Sequence, residues 1–269
     1  MEDSYKHIDT TLIYAITSVP GVGCPELFHE EFLEGCACDN TGGCSEAPTC
    51  SCIKGAESFY DENSIAKSLS HIYPVFECNP RCLCSKNLCK NSTIQKGPIG
   101  GLCIKNTSNK GLGLFNQNEI TKGTFICTYS GEIIGIEEGQ KRCKKQQEEK
   151  KTNYILFVKE VFPDGPLTTV IDPTVIGNIG RYCNHSCNPN LIMVPIRIEN
   201  LIPHLALFAL NNIEAGVELT FDYGNPSTAL QVAHDISDEE SLTKKEKENL
   251  VKCFCGEGSD CKKYLPYHK

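Results

Sequence analysis

The feature that most narrows the folds open to this chain is a group of nine cysteines between residues 36 and 89. They are Cys36, Cys38, Cys44, Cys50 and Cys52, then, after a gap, Cys78, Cys82, Cys84 and Cys89. In Cys36/Cys38, Cys50/Cys52 and Cys82/Cys84 one residue separates two thiols, a spacing that lets both converge on one metal ion and suits separate disulfides poorly. A closed disulfide set would also leave one thiol over. Three isolated tetrahedral zinc sites demand twelve ligands, which nine thiolates supply if three of them bridge. Two separate four-thiolate sites with a spare thiol satisfy the same arithmetic.

The remaining composition favours metal over disulfides. The chain has 269 residues and 18 cysteines, yet its start, MEDSYKHIDT, has neither the basic nor the apolar region of a secretory signal. No run of eighteen apolar residues occurs, so the expectation is a soluble, non-secreted protein with no membrane association. The net charge of −8 is concentrated at one end. Residues 1–53 hold nine acids and one base, Lys6, while residues 54–269 balance at 25 of each sign. An acidic surface favours a basic partner such as a histone tail or nucleosome over naked nucleic acid, and no basic stripe for a phosphate backbone is visible. The alternative is that these acids only solubilise the N-terminus.

Three zones follow along the chain, with boundaries at 1–98, 99–225 and 226–269. The first lacks regular hydrophobic periodicity and needs metal to hold it together. The second carries short β-branched runs such as GTFICTYSGEIIG, NYILFVKEV and HLALFAL between Gly, Pro and Asn, which predicts a mainly β domain. One charged segment, 136–151, predicts a solvent-facing helix over the sheet edge, with Glu137/Lys141 and Glu138/Arg142 pairs at i,i+4. The third zone is a polar linker, containing KKEK, followed by Cys253, Cys255 and Cys261.

The chemistry concentrates in GNIGRYCNHSCNPN (177–190) and VELTFDYG (217–224). Gly, Asn and Pro at this density describe tight backbone whose polar groups must be satisfied by one another or by a ligand. Upstream, NKGLGLF offers Gly111 and Gly113 where a ligand can approach backbone closely. Near the C-terminus, KCFCGEGSDC holds three thiols where tetrahedral zinc wants four, and Cys187 can supply the fourth.

Together these segments resemble the suppressor-of-variegation class of SET-domain histone-lysine methyltransferases. C-x-C-x5-C-x5-C-x-C followed by C-x3-C-x-C-x4-C is similar to its pre-SET module, and NHSC-x-PN with ELTFDYG is similar to its SET domain. The resemblance implies a SET-domain β-fold with short helices and a knot-like active site, flanked by zinc-cysteine pre-SET and post-SET modules. It implies three zinc ions bridged by Cys36, Cys44 and Cys78. The first would take Cys36, Cys38, Cys44 and Cys50, the second Cys36, Cys52, Cys78 and Cys82, and the third Cys44, Cys78, Cys84 and Cys89. A fourth zinc would sit on Cys187, Cys253, Cys255 and Cys261. Cys24, Cys103, Cys127, Cys143 and Cys183 are then left as small core or surface residues.

The same resemblance implies S-adenosylmethionine as methyl donor. Asn184 and His185 would hold its methionyl and adenine parts, and Arg181 would brace the site. Lys110, Gly111, Leu112 and Gly113 would form a cofactor loop, Leu112 replacing the family's usual Trp, with Tyr154 near the cofactor and Phe254 closing over it. Tyr223 would be the active-site hydroxyl, with Tyr129 and Phe221 lining the lysine channel. Phe221 and Tyr223 alternate along a strand-like segment and should face one side. Phe221 carries no hydroxyl to anchor a methylated amine, so the expected product is at least dimethyl-lysine, on a histone tail, that of H3 first, in the nucleus.

Lysine is protonated at neutral pH, with a pKa of about 10.4, so the channel must desolvate the ammonium before transfer. Two rival classes make contrary demands. A zinc-rich module that binds chromatin or nucleic acid would carry basic clusters interleaved with aromatics, which the sequence lacks. A catalytically weak SET scaffold would have lost Tyr223, Asn184 or His185, which it keeps.

Overall fold

The structure is a computed structural model that describes residues 9–30, 33–38, 44, 50–53, 58–69, 74–84, 88–224, 250–256 and 258–265. The polar stretch from 225 to 249, KKEK included, lies outside the described residues. In chain order the strands are β1 (Ile13–Tyr14), β2 (Val19–Pro20), β3 (Val75–Phe76), β4 (Leu102–Asn106), β5 (Leu112–Asn116), β6 (Phe125–Tyr129) and β7 (Gly131–Ile134). Helix α1 (Ile136–Glu148) follows, then β8 (Leu156–Phe162), β9 (Gly165–Gly177), β10 (Asn184–His185), β11 (Leu191–Arg197), β12 (His204–Ala209) and β13 (Glu218–Phe221). No described helix is long and apolar enough to cross a membrane.

Three sheets result. One runs β1-β9-β7-β2 with β8 paired to β9, the second β10-β13-β5-β4, and the third β3-β11-β12-β6. The β-branched runs become the strands because alternate residues can be buried against a neighbouring layer. The main core gathers Leu114, Ile126, Ile133, Ile171, Met193, Leu207 and Phe221 from all three sheets and Ile179 from the turn 179–182, all essentially inaccessible. The zone rich in cysteine joins this body through β3, which pairs in parallel with β11, Val75 opposite Ile196 and Phe76 opposite Arg197.

Helix α1 forms where its charge pattern predicts but is less solvated than expected. Gly139 and Gln146 are buried, and a Cβ at Gly139 would meet Val170 and Phe157 at 2.8 and 2.9 Å, so the helix rests closely on those side chains. The Glu138/Arg142 pair forms at 2.9 Å. Lys141 turns to Glu138 at 3.2 Å instead of to Glu137, because Arg142 has already drawn Glu138 inward with Glu132 and Asp172, both at 2.8 Å.

Candidate active site

The NHSC segment earns its place by pairing with two other parts of the chain. Short parallel pairing sets Asn184 opposite Thr220 and His185 opposite Phe221. On the other side Gly180 packs against β6, where an added Cβ would lie 2.3 Å from the Thr128 carbonyl oxygen. The turn 179–182 is capped by Asn178, whose side chain accepts from the Gly180 N–H at 3.1 Å and donates to Thr128 at 3.0 Å. The polar backbone that made this segment a poor core strand is thus satisfied largely within the site.

Around it an aromatic cluster closes. The Phe221 and Tyr223 rings are 4.8 Å apart, as their alternation predicts, and Tyr129 meets Phe221 edge-on at 5.9 Å. The Tyr223 hydroxyl donates to the Cys183 carbonyl at 2.8 Å, and the Tyr129 hydroxyl donates to the Tyr154 carbonyl. Burial pushes both phenols up, so each stays protonated at working pH and acts as a hydrogen-bond group. The Arg181 guanidinium stacks 4.3 Å over the Tyr154 ring and pairs with Asp9 at 3.2 Å, joining the N-terminal segment to the site.

The residues expected to form a cofactor loop come together beside Asn184. Gly111 holds φ +72°, a left-handed conformation that favours glycine, and its carbonyl accepts from Thr107 N–H at 2.7 Å. A Cβ at Gly113 would crowd Glu218 Oε1 and Thr107, each at 2.8 Å, and Asn184 Nδ2 at 3.1 Å. Asn184 donates to the Leu112 carbonyl at 3.1 Å, while the Leu112 side chain packs on the main core. Phe254 is not brought in: it is 47% exposed, with the Lys252 ammonium 5.6 Å over its ring.

None of the eighteen cysteines is joined in a disulfide. Sulfur atoms of three quartets lie within 4.8 Å of one another in the first zone: Cys36/Cys38/Cys44/Cys50, Cys36/Cys52/Cys78/Cys82 and Cys36/Cys44/Cys78/Cys84. Cys36–Cys44 and Cys44–Cys78 stand at 3.5 and 3.4 Å, far beyond a disulfide bond and near the ~3.8 Å between two thiolates on one tetrahedral zinc. The third quartet departs from the expected set, with Cys36 in the place of Cys89. Cys89 stands beside it, its thiol within reach of Cys78, Cys44 and Cys84, while Cys84 also lies 3.8 Å from Cys36. Mutual contact splits the thiols: Cys89 is drawn down to about 5 and Cys52 to about 6, while burial pushes Cys38 and Cys82 up to about 12. So many thiols cannot all ionise unaided, and divalent cations are the charge that would let them.

The fourth quartet, Cys187/Cys253/Cys255/Cys261, forms as expected and touches the active site. Tyr223 N–H donates to His185 Nδ1 at 3.2 Å, which leaves the proton of this ring on Nε2, facing Cys187 Sγ at 3.2 Å. Burial lowers the His185 pKa, in keeping with this neutral form. Lys262 adds a latch, donating from its backbone to Cys187 Sγ at 3.3 Å and from Nζ to Asp222 at 2.7 Å.

Comparison with known proteins decides the family. The Pre-SET motif family matches residues 3–92 and the SET domain family residues 111–224. The histone-lysine N-methyltransferase SETMAR of Bos taurus is 40% identical over 94% of this chain and 81% of its own length. The chain belongs to the SET-domain histone-lysine methyltransferase family. It is also 40% identical to human SETMAR, of whose length it spans only 33%. The crystal structure of the methyltransferase domain of human SETMAR superposes with a TM-score of 0.78 at 34% identity, covering 99% of this chain and 93% of that one. KRYPTONITE in complex with mCHH DNA, an H3(1–15) peptide and S-adenosylhomocysteine gives a TM-score of 0.71 at 25% identity, over 98% of this chain and 49% of that one.

Residue types alone did not mark Asp9, Asp222, Lys262 or Glu218 as members of this SET site. Glu218 and Asp222 lie inside VELTFDYG, so their neighbours in sequence were the available signal.

Proposed function

We propose that this chain transfers methyl groups from S-adenosylmethionine to a lysine of a histone tail, that of H3 first, and carries the product at least to dimethyl-lysine. The observation that carries the reading is the cluster of Tyr129, Phe221 and Tyr223 built directly against the Asn184–His185 strand, in a chain of this family. KRYPTONITE, whose structure holds an H3 peptide together with the demethylated cofactor, supports the pairing of these two ligands.

S-Adenosylmethionine, when bound, supplies a methyl group on a sulfonium. The chain's residues do the rest by position and desolvation. Lys110, Gly111, Leu112, Gly113, Asn184, His185, Arg181 and Tyr154 form the cofactor side, and the exposed Phe254 is left out of it. On the lysine side, Tyr129 and Phe221 line an apolar wall that disfavours the ammonium, and the protonated Tyr223 orients the reacting centre without serving as base. The nine cysteines between residues 36 and 89 hold three Zn²⁺ and the last quartet one, as structural sites with no open position. Residues 1–98, 99–225 and 226–269 form the pre-SET, SET and post-SET parts, in a chain that works in the nucleus. DNA stays outside the proposal, since residues 54–269 carry balanced charge.

Asn184→Ala should weaken S-adenosylhomocysteine binding by roughly tenfold or more in calorimetry, the scale of a lost hydrogen bond to a charged group. Binding as tight as the wild type would remove Asn184 from the cofactor site. Methyl-labelled cofactor incubated with purified core histones, followed by amino-acid analysis, tests the function itself. Label should appear in dimethyl-lysine or beyond, and Phe221→Tyr should shift it to monomethyl-lysine; only monomethyl product from the wild type at saturating cofactor would contradict the role of Phe221.

A further inference from the structure

Glu218 ties together two arms of the cofactor side, Lys110 and Asn184, that lie over seventy residues apart in sequence. Its Oε1 accepts from Asn184 Nδ2 at 2.8 Å and its Oε2 from Lys110 Nζ at 2.6 Å. Asn184 Nδ2 also donates to the Leu112 carbonyl at 3.1 Å, so both of its protons are engaged and the side-chain amide has a single orientation. Its Oδ1 is left as an acceptor, and among the described residues no donor is recorded on it.

Three strands produce this convergence. Glu218 opens β13 opposite Phe115 on β5, and β10 brings Asn184 alongside Thr220 two residues further on. Gly113 makes the space, since a side chain there would press on both Glu218 and Asn184. The Lys110–Glu218 pair is largely shielded, at 18% and 20% side-chain exposure, which strengthens the charge-assisted contact over one in open water.

The amino-acid end of S-adenosylmethionine is a zwitterion that needs an acceptor for its ammonium and a cationic donor for its carboxylate. We propose that Glu218 is a positioning residue for that end, presenting Asn184 Oδ1 to the ammonium and Lys110 Nζ to the carboxylate. The proposal rests on the cofactor reading above. Without the Glu218 carboxylate, the Asn184 amide is free to flip and set its N–H groups against the cofactor's ammonium. Lys110 is then free to swing into solvent.

The test compares two ligands on the zinc-loaded chain by calorimetry. S-Adenosylhomocysteine carries the amino-acid end; 5′-methylthioadenosine has the adenosine and sulfur but lacks it. Glu218→Ala should bind S-adenosylhomocysteine roughly ten- to hundredfold more weakly, the scale of losing hydrogen bonds to charged groups, with methylthioadenosine unchanged. Glu218→Gln, which keeps an acceptor for Asn184 but turns an N–H toward Lys110, should fall between wild type and Ala. In turnover the cofactor KM should rise by the same factor while the KM for a histone peptide stays put. An equal loss for both ligands, or none for S-adenosylhomocysteine, would overturn the positioning role alone. A folded, zinc-loaded wild type that binds no S-adenosylhomocysteine would overturn the cofactor reading and the proposal with it.

Discussion

Tyr223→Phe should lower methyl-transfer turnover by roughly a hundredfold or more, the scale of losing one positioned hydrogen-bond group in a dry site. The hydroxyl removed is the one that donates to the Cys183 carbonyl at 2.8 Å. The ring itself stays packed between Phe221 and His185, so secondary structure and zinc content should match the wild type. Because burial keeps this phenol protonated, the loss should be of similar size across neutral and mildly alkaline pH. Steady-state rates with circular dichroism and elemental analysis on the same samples check the effect, and normal turnover would remove Tyr223 from the catalytic centre.

Stripping zinc with a strong chelator should abolish the fold around the nine clustered cysteines. Structural zinc contributes about 10–16 kcal/mol per site in small zinc modules, against about 5–15 kcal/mol for the net stability of a whole domain. The cluster's sulfurs, Cys36, Cys44 and Cys78 above all, are buried with one another and with few other apolar partners, so no alternative core replaces the metal. Elemental analysis of folded, active protein should give about four zinc ions per chain, twelve ligations in the cluster and four in the last quartet. Cys44→Ser, which strikes a shared sulfur, should release more than one ion. Cys187→Ser should cost more activity than Cys38→Ser at matched folding, because only Cys187 faces His185. Fewer than three zinc ions in active protein would exclude the bridged cluster.

The sequence showed most clearly what depends on local spacing. The Asn and Gly density of 177–190 and the alternation of Phe221 with Tyr223 each dictate local geometry and reappear in the structure. Of the one-residue gaps between thiols, only Cys36/Cys38 share a quartet, Cys50/Cys52 and Cys82/Cys84 being divided between two. Contacts that depend on which strands become neighbours were not legible. Glu218 reads as a charged residue at the start of a strand until β5 and β10 bring Lys110 and Asn184 to it. Lys262 is one of several lysines near the C-terminus until the last quartet carries it to Asp222. Of the two helix pairs, Glu138/Arg142 forms as its spacing predicts, while Lys141 turns to Glu138 and not to Glu137.

The central claim is that the site around Tyr223 methylates lysine using S-adenosylmethionine. Tandem mass spectrometry tests it most directly, on core histones and nucleosomes incubated with the zinc-loaded chain and cofactor, wild type beside Tyr223→Phe. The expected spectra show a lysine of a histone tail carrying two or more methyl groups with the wild type and nearly none with the variant. Histones left unmodified by a folded, zinc-loaded wild type that binds S-adenosylhomocysteine would contradict the account.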